Sequence, residues 1–262
     1  MSNDLAIAII GYGSAGQSAA VLLSNDGHAV DVFERVPRPG PVGAGFLLQP
    51  TGLAVLWKMG LLDAVLAHGA RIQRLYGETA GGRPVMDMRY RDLNARLFGV
   101  GLQRGALFML LDAAWRRGRT LHCGREIVEI NTNSGALVDS DGQHHGPYDL
   151  IIVADGAASR LRSSFGRPHL DRPFPWGAQW CLVEQNDWVW KNELRQRYVL
   201  ARRMIGMLPV GTRPDDPTPR MSFFWSASAA ELTQGIQDKP AWLQVVTDIW
   251  PAAADNLAGV DL

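Results

Sequence analysis

Gly11-Tyr12-Gly13-Ser14-Ala15-Gly16 sets three glycines at a spacing suited to holding a diphosphate against backbone amides. Gly11 permits a tight turn, Gly13 lets the backbone approach a pyrophosphate, and Gly16 lets a helix lie close to the preceding strand. A helix opening here, with Ser14 just before it and Ala15 at its start, aims unpaired N–H groups and its positive dipole end at the phosphates. Glu34 lies 18 residues beyond Gly16, where a carboxylate can accept hydrogen bonds from an adenosine ribose. An acidic residue at this point argues against a 2′-phosphate, and so against NADP in this site. The motif by itself leaves NAD and FAD open.

Such a loop works only between a strand and a helix. Leu5–Ile10 is an apolar run ending at a glycine, the pattern of a strand buried on both faces of a parallel sheet. The spacing then predicts a helix over Ala15–Ser24, ended by Asn25-Asp26-Gly27-His28, and a second strand over Ala29–Phe33. Together these make a βαβ unit with a right-handed crossover. Residues 36–45 are rich in Pro and Gly and read as a loop, and Thr51–Ala67 reads as one helix. From about Arg71 to Gly101 the pattern is shorter and strand-like. Leu107–Arg117 returns to helix, with a stop at Gly118.

Glu126–Asp139 resembles a strand pair around Asn131–Gly135. Asp149–Ala154 is a further apolar strand that ends at Asp155-Gly156. That end is the carboxyl edge, where α/β sheets bind ligands. The other reading for Asp155 is a helix N-cap, with Ser159 in the following turn. Beyond Gly166, prolines, tryptophans and short alternating runs predict a more β-rich second domain, with short helices over Ala229–Gly235 and Ala241–Trp250.

The 262 residues are 47% hydrophobic, and Lys+Arg and Asp+Glu number 26 each, so the formal net charge is zero. This balance gives no ground for a nucleic-acid groove or an anionic membrane surface. No stretch reaches the roughly 18 consecutive apolar residues a membrane helix needs. Cys123 and Cys181, the only cysteines, lack any metal-ligand spacing and read as buried free thiols in a reducing cytoplasm. His144-His145 reads as a solvated turn, and His28 and His68 as structural. Arg202-Arg203 reads as a strand edge or as facing a cofactor cavity. The tryptophans of residues 176–225 read as core, with some available to line an aromatic substrate cavity. No metal site and no Ser/His/Asp constellation stands out.

Three further pieces fall in order after Glu34-Arg35 and its Pro/Gly loop. They are Gly43-Ala44-Gly45-Phe-Leu-Leu-Gln-Pro50, Gln103-Arg104-Gly-Ala-Leu107, and Asp155-Gly156-Ala-Ala-Ser159-Arg-Leu-Arg162. In order and approximate spacing the set resembles the FAD-dependent aromatic hydroxylases of the p-hydroxybenzoate hydroxylase type. The resemblance covers residues 5–165 and continues more loosely to about 226.

It implies an α/β fold. A Rossmann-like FAD-binding domain would comprise residues 1–75 and 101–166, and a mostly β, incomplete substrate domain residues 76–100 and 167–262. Glu34 and Arg35 would then contact the adenosine ribose and its surroundings. Gly43, Ala44 and Gly45 would pass close to the isoalloxazine, and Arg104 would approach the pyrophosphate side. Asp155-Gly156 would form a second contact zone, for FAD and the pyridine nucleotide. The implied reaction has NADH or NADPH reduce FAD, which forms a C4a-hydroperoxide with O2 and hydroxylates a small, phenol-like aromatic. No side chain is singled out as a catalytic acid or base, and a homo-oligomer is compatible.

Those enzymes also carry a later strand ending in a Gly-Asp-Ala-Ala-His-like motif that holds the flavin ribityl chain. It has no counterpart before Gly259-Val-Asp-Leu262, so a truncated or split form, or one without half of the flavin pocket, is expected. Two other functions stay in view. An NAD-dependent dehydrogenase or reductase would explain Gly11–Glu34 but not the Gly43 loop or Asp155-Gly156. A non-catalytic dinucleotide-binding fragment would explain the missing segment.

Overall fold

Ile7, Ala8 and Ile9 are fully buried and Ile10 nearly so, which makes the first apolar run the centre of a sheet. Each buried isoleucine contributes about 1.5–3 kcal/mol relative to exposure. The computed structural model describes residues 4–117, 119–166, 170–200, 202–257 and 259–260.

The chain opens with β1 (Ala6–Ile10), α1 (Ser14–Asn25) and β2 (Ala29–Glu34). There follow β3 (Gly45–Leu48), α2 (Pro50–Lys58), α3 (Leu62–His68), β4 (Ala70–Ile72), β5 (Arg74–Thr79) and β6 (Pro84–Arg89). Next are α4 (Tyr90–Leu93), β7 (Gly99–Gln103), α5 (Arg104–Trp115) and β8 (Leu121–Cys123). Then come β9 (Ile127–Asn131), β10 (Ala136–Asp139), β11 (His144–His145), β12 (Leu150–Val153) and a 3-10 turn, Leu161–Phe165. The last segment holds β13 (Trp176–Glu184), β14 (Glu193–Val199), β15 (Arg203–Arg213) and β16 (Asp216–Ser228), then α6 (Ala229–Gln234), α7 (Lys239–Ile249) and α8 (Pro251–Asp255).

Two units result, one of residues 1–41 and 107–172, the other of 42–106 and 173–262. The first is a mixed α/β unit around a parallel sheet in the order β12-β1-β2-β8. The chain moves outward from β1 through β2 to β8, then returns to β1's other side with β12. That reversal makes the crevice beyond β1 and β12 a topological switch point, where open α/β sheets bind ligands. A small antiparallel sheet, β11-β10-β9, packs Ile127, Ile130 and Leu137 against Ala8, Ile10 and Phe33.

The second unit is β-rich, with a six-stranded sheet in the order β13-β16-β15-β14-β5-β6 and a three-stranded sheet β3-β7-β4. Phe223, Trp225 and Met207 pack under Val246, Ile249 and Trp250 of the C-terminal helices. Among the described residues no helix is long and apolar enough to cross a membrane.

Residues 42–75 and 101–106 group with the second unit. The reason is pairing: β3 and β4 flank β7, and Gly101 of β7 lies so near β15 that a Cβ would sit 1.9 Å from the Pro209 oxygen. Thr51–Ala67 is two helices rather than one. Gly60 adopts φ +74°, and its N–H and that of Leu61 donate to the Trp57 and Leu56 oxygens, a Schellman stop that periodicity alone does not reveal. The helix expected over Leu107–Arg117 starts at Arg104 and ends at Trp115, and its Gly118 stop lies outside the described residues. Cys181 is buried, but Cys123 is only half-buried. Trp188 and Trp225 are core, whereas Trp176 and Trp180 are 41% and 49% exposed.

Candidate functional site

The glycine loop is shaped by close approach. Gly11 has φ +103°, and its N–H donates to the Phe33 oxygen at 2.8 Å. A Cβ on Gly11 would lie 2.5 Å from the Ala154 oxygen and 2.9 Å from the Asp155 Cα. So the turn after β1 abuts the end of β12, and any side chain at Gly11 would push them apart. A Cβ on Gly16 would lie 1.9 Å from the Gly11 oxygen, which is how tightly α1 is drawn against β1. Gly13 differs: a Cβ there would meet nothing within 4 Å. Its open side faces the space a ligand would take.

The first-turn amides of α1 have no intrahelical acceptor. No side chain caps that end and no acidic residue stands in the first turn. Gly13, Ser14 and Ala15 are exposed. Uncapped first-turn amides of this kind suit an anion.

Glu34, at the end of β2, is held by two backbone amides. Its Oε2 accepts from Tyr12 N and its Oε1 from Val36 N, each at 2.8 Å. A carboxylate offers about four acceptor positions, so about two remain for ribose hydroxyls. Tyr12 is itself buried, and its hydroxyl donates to Asp112 at 2.8 Å. Burial first, and then the Asp112 carboxylate, raise its pKa, so it remains a neutral anchor for the loop.

A cavity of about 420 Å³ gathers Gly11, Gly13, Glu34, Arg35, Asp155 and Gly156. No helix begins at Asp155: the next helical element is the 3-10 turn from Leu161, preceded by Arg160. The N-cap reading of Asp155 therefore has no support here. Gly43, Ala44, Gly45 and Arg104 form a second group, within the other unit. The Arg104 N–H donates to the Ala44 oxygen at 2.9 Å, and a Cβ on Gly43 would touch the Arg104 side chain at 3.0 Å. Gly45 N donates to Ser222 Oγ at 3.2 Å, and a Cβ there would strike Val210 at 2.2 Å.

Arg125, Ile127, Arg160 and Leu161 also line the first cavity and were not expected. Arg125 had a findable signal, since it follows Gly124 at the carboxyl end of β8, beside the end of β2. Its N–H donates to the Glu34 oxygen at 2.9 Å, and its Nη1 reaches Asp139 at 3.2 Å and Asp141 at 2.8 Å. Asp139 is fully buried and also receives the Asp141 and Gln143 amides, with His145 Nε2 at 3.0 Å. His145 is therefore no solvated turn: its ring is 12% exposed and packs 4.8 Å from Phe33. His68 meets Thr212 Oγ1 at 3.1 Å, a structural contact. Arg203 opens β15 with its guanidinium 5.5 Å from the Trp225 ring.

The His145 hydrogen bond, aided by the two amides and Arg125, holds Asp139 below the usual carboxylate range against the opposing effect of burial. A depressed folded pKa means stability that is full above the unfolded value of about 3.9 and lost as pH falls through the folded value. An Asp139→Asn variant should thus melt below the parent near neutrality. The gap should close as melts are run toward about pH 3. A gap that stays constant across that range would refute the linkage.

The chain matches the model of the FAD binding domain family over residues 4–260. It belongs to that family. The 3-amino-4-hydroxybenzoate 2-monooxygenase of Streptomyces cremeus is 33% identical over 181 residues, covering 64% of this chain and 43% of that protein. The 6-hydroxynicotinate 3-monooxygenase of Pseudomonas fluorescens is 27% identical over 180 residues, covering 66% and 46%. The chain thus spans less than half the length of these curated relatives. Among solved structures, pqsL, a probable FAD-dependent monooxygenase from Pseudomonas aeruginosa, superposes with a TM-score of 0.77 at 22% identity, over 98% of this chain and 71% of its own. That likeness shows a shared fold.

FAD is therefore the dinucleotide of this FAD binding domain, and the observed residues fit it. Gly13 leaves open backbone for a diphosphate, the α1 amides are uncapped, and Glu34 retains acceptors for a ribose.

Proposed function

We propose that this chain is the FAD-holding part of an FAD-dependent monooxygenase, which uses NADH or NADPH and O2 to hydroxylate a small, phenol-like aromatic. The observation that carries the reading is the switch-point cavity, with Gly13 open on one side and the Glu34 carboxylate fixed on another. It is supported by relatives whose names describe monooxygenases of a hydroxybenzoate and a hydroxynicotinate. Bound FAD supplies the redox chemistry, accepting a hydride and activating oxygen. In this reading Gly11–Gly16 bind the diphosphate and Glu34 and Arg35 hold the adenosine ribose. Asp155 and Gly156 form the second contact zone beside Gly11. Gly43–Gly45 and Arg104 are assigned to the isoalloxazine and pyrophosphate sides. The chain's part is to bind and orient rather than to exchange protons, so no acid–base residue is assigned.

The test is the visible absorption spectrum of the purified chain, before and after adding FAD and desalting. The flavin bands should persist, and NADH or NADPH should then be oxidised faster when phenols are present. Retained flavin with no such oxidation across a phenol panel would turn the reading toward a non-catalytic dinucleotide-binding fragment.

A further inference from the structure

Residues 71–96 carry six arginines against three acidic residues, in a chain whose overall charge is zero. In the second unit the fold draws four of these arginines together. Arg71, Arg74, Arg89 and Arg91 line a groove of about 370 Å³.

Its frame is rigid. Gln73, between β4 and β5, donates its N–H to the Asn192 oxygen at 2.8 Å and accepts from Tyr90 N at 3.2 Å. Arg74 stands directly across from Arg89 in the β5–β6 ladder and from Glu193 in the β14–β5 ladder. Two arginines facing each other on neighbouring strands repel, and the pair needs an anion between them. Asp87 supplies part of it. It grips Arg74 with both oxygens, at 2.6 and 2.7 Å, and reaches Arg89 at 3.5 Å. Glu193 is divided in the same way between Arg74 and Arg195, each at 3.4 Å.

Nothing comparable serves the other two. Arg71 lies over the Phe98 ring at 3.8 Å and, among the described residues, has no carboxylate within ion-pair distance. Arg91 is 69% exposed and, among the described residues, its one carboxylate is Asp92, 4.0 Å away. The groove therefore keeps an excess of positive charge, with one guanidinium placed over an aromatic ring and, among the described residues, without a carboxylate partner.

From this geometry we propose that the groove binds the phosphate groups of a small polyanion, with Arg71 and Arg91 as its direct ligands. Guanidinium forks match phosphate oxygens in pairs, and several converging forks favour an oxyanion of more than one charge. The site is built by β4, β5, β6 and α4 and is independent of the glycine loop.

Isothermal titration of the full chain with inorganic pyrophosphate tests this. The parent should bind, more weakly as salt rises. The double variant Arg71→Ala, Arg91→Ala should weaken binding at least tenfold, since each charge-assisted hydrogen bond lost is worth about that factor. Both side chains are exposed, so its melting temperature should match the parent's. A single Arg71→Lys variant, which keeps the charge but loses the fork, should also weaken binding. Displacement of pyrophosphate by NADPH but not NADH would name a nucleotide 2′-phosphate as the source. Displacement by neither would name a free phosphate compound, and both results sustain the site. Binding unchanged by the substitutions would assign the anion to the Gly11–Gly16 loop and overturn the proposal. So would no pyrophosphate binding at millimolar concentration.

Discussion

Replacing Gly16 with valine is expected to lower both the stability of the chain and its affinity for FAD, whereas Gly13→Ala should lower affinity alone. The difference lies in what a Cβ would meet. At Gly16 it stands 1.9 Å from the Gly11 backbone oxygen and 3.3 Å from Ile9 Cγ2, and neither the turn nor the buried β1 can yield cheaply. Overpacking of this kind costs about 1–3 kcal/mol. At about 2–4 °C per kcal/mol for a chain of this size, the melting temperature should fall by several degrees. Moving α1 off β1 also carries its first-turn amides away from the diphosphate. Losing two charge-assisted hydrogen bonds is worth about a hundredfold in affinity. At Gly13 the added methyl enters open space with an ordinary φ of −77°, so the fold is undisturbed and only the ligand is met. Thermal melts and titration of flavin fluorescence check both variants. Equal melting of Gly16→Val and the parent would disprove the close-approach argument. An undiminished affinity in Gly13→Ala would mean that the diphosphate lies elsewhere.

Glu34→Ala should weaken FAD binding by about ten- to a hundredfold, because hydrogen bonds to a charged acceptor contribute about 1.5–3 kcal/mol each. Two effects combine. The ribose loses its acceptor, and the Tyr12 and Val36 amides lose the carboxylate that fixes them at 2.8 Å. Glu34→Gln separates them, since one oxygen can still accept from one amide while the charge is gone. It should fall between the parent and Glu34→Ala. Affinity unchanged in either variant would remove Glu34 from the ribose.

The local elements that frame the candidate site are legible in the sequence. The apolar run Leu5–Ile10, the glycine spacing and Glu34 mark a βαβ unit, because local periodicity and backbone stereochemistry act over a few residues. Asp155-Gly156 was legible as a strand end for the same reason. The Schellman stop at Gly60 was not, since Leu53, Leu56, Met59, Leu62 and Val65 recur at steps of three residues straight across the break. His145 misled because a His-His pair in a polar hairpin looks solvated until Phe33 is placed against it.

The sequence by itself thus determined the strands of the βαβ unit and the strand that ends at Asp155-Gly156, with a glycine loop of diphosphate-binding spacing ahead of an acidic residue. Tertiary structure alone decided that β12 lies beside β1, bringing the Ala154-Asp155 backbone against Gly11. It also decided that residues 42–75 join the second unit, and that Arg71, Arg74, Arg89 and Arg91 share one groove. The physical reason is common to all three. Strand order and sheet membership follow from long-range pairing of backbone hydrogen bonds, and every strand offers the same donors and acceptors. No local pattern records which partner is chosen.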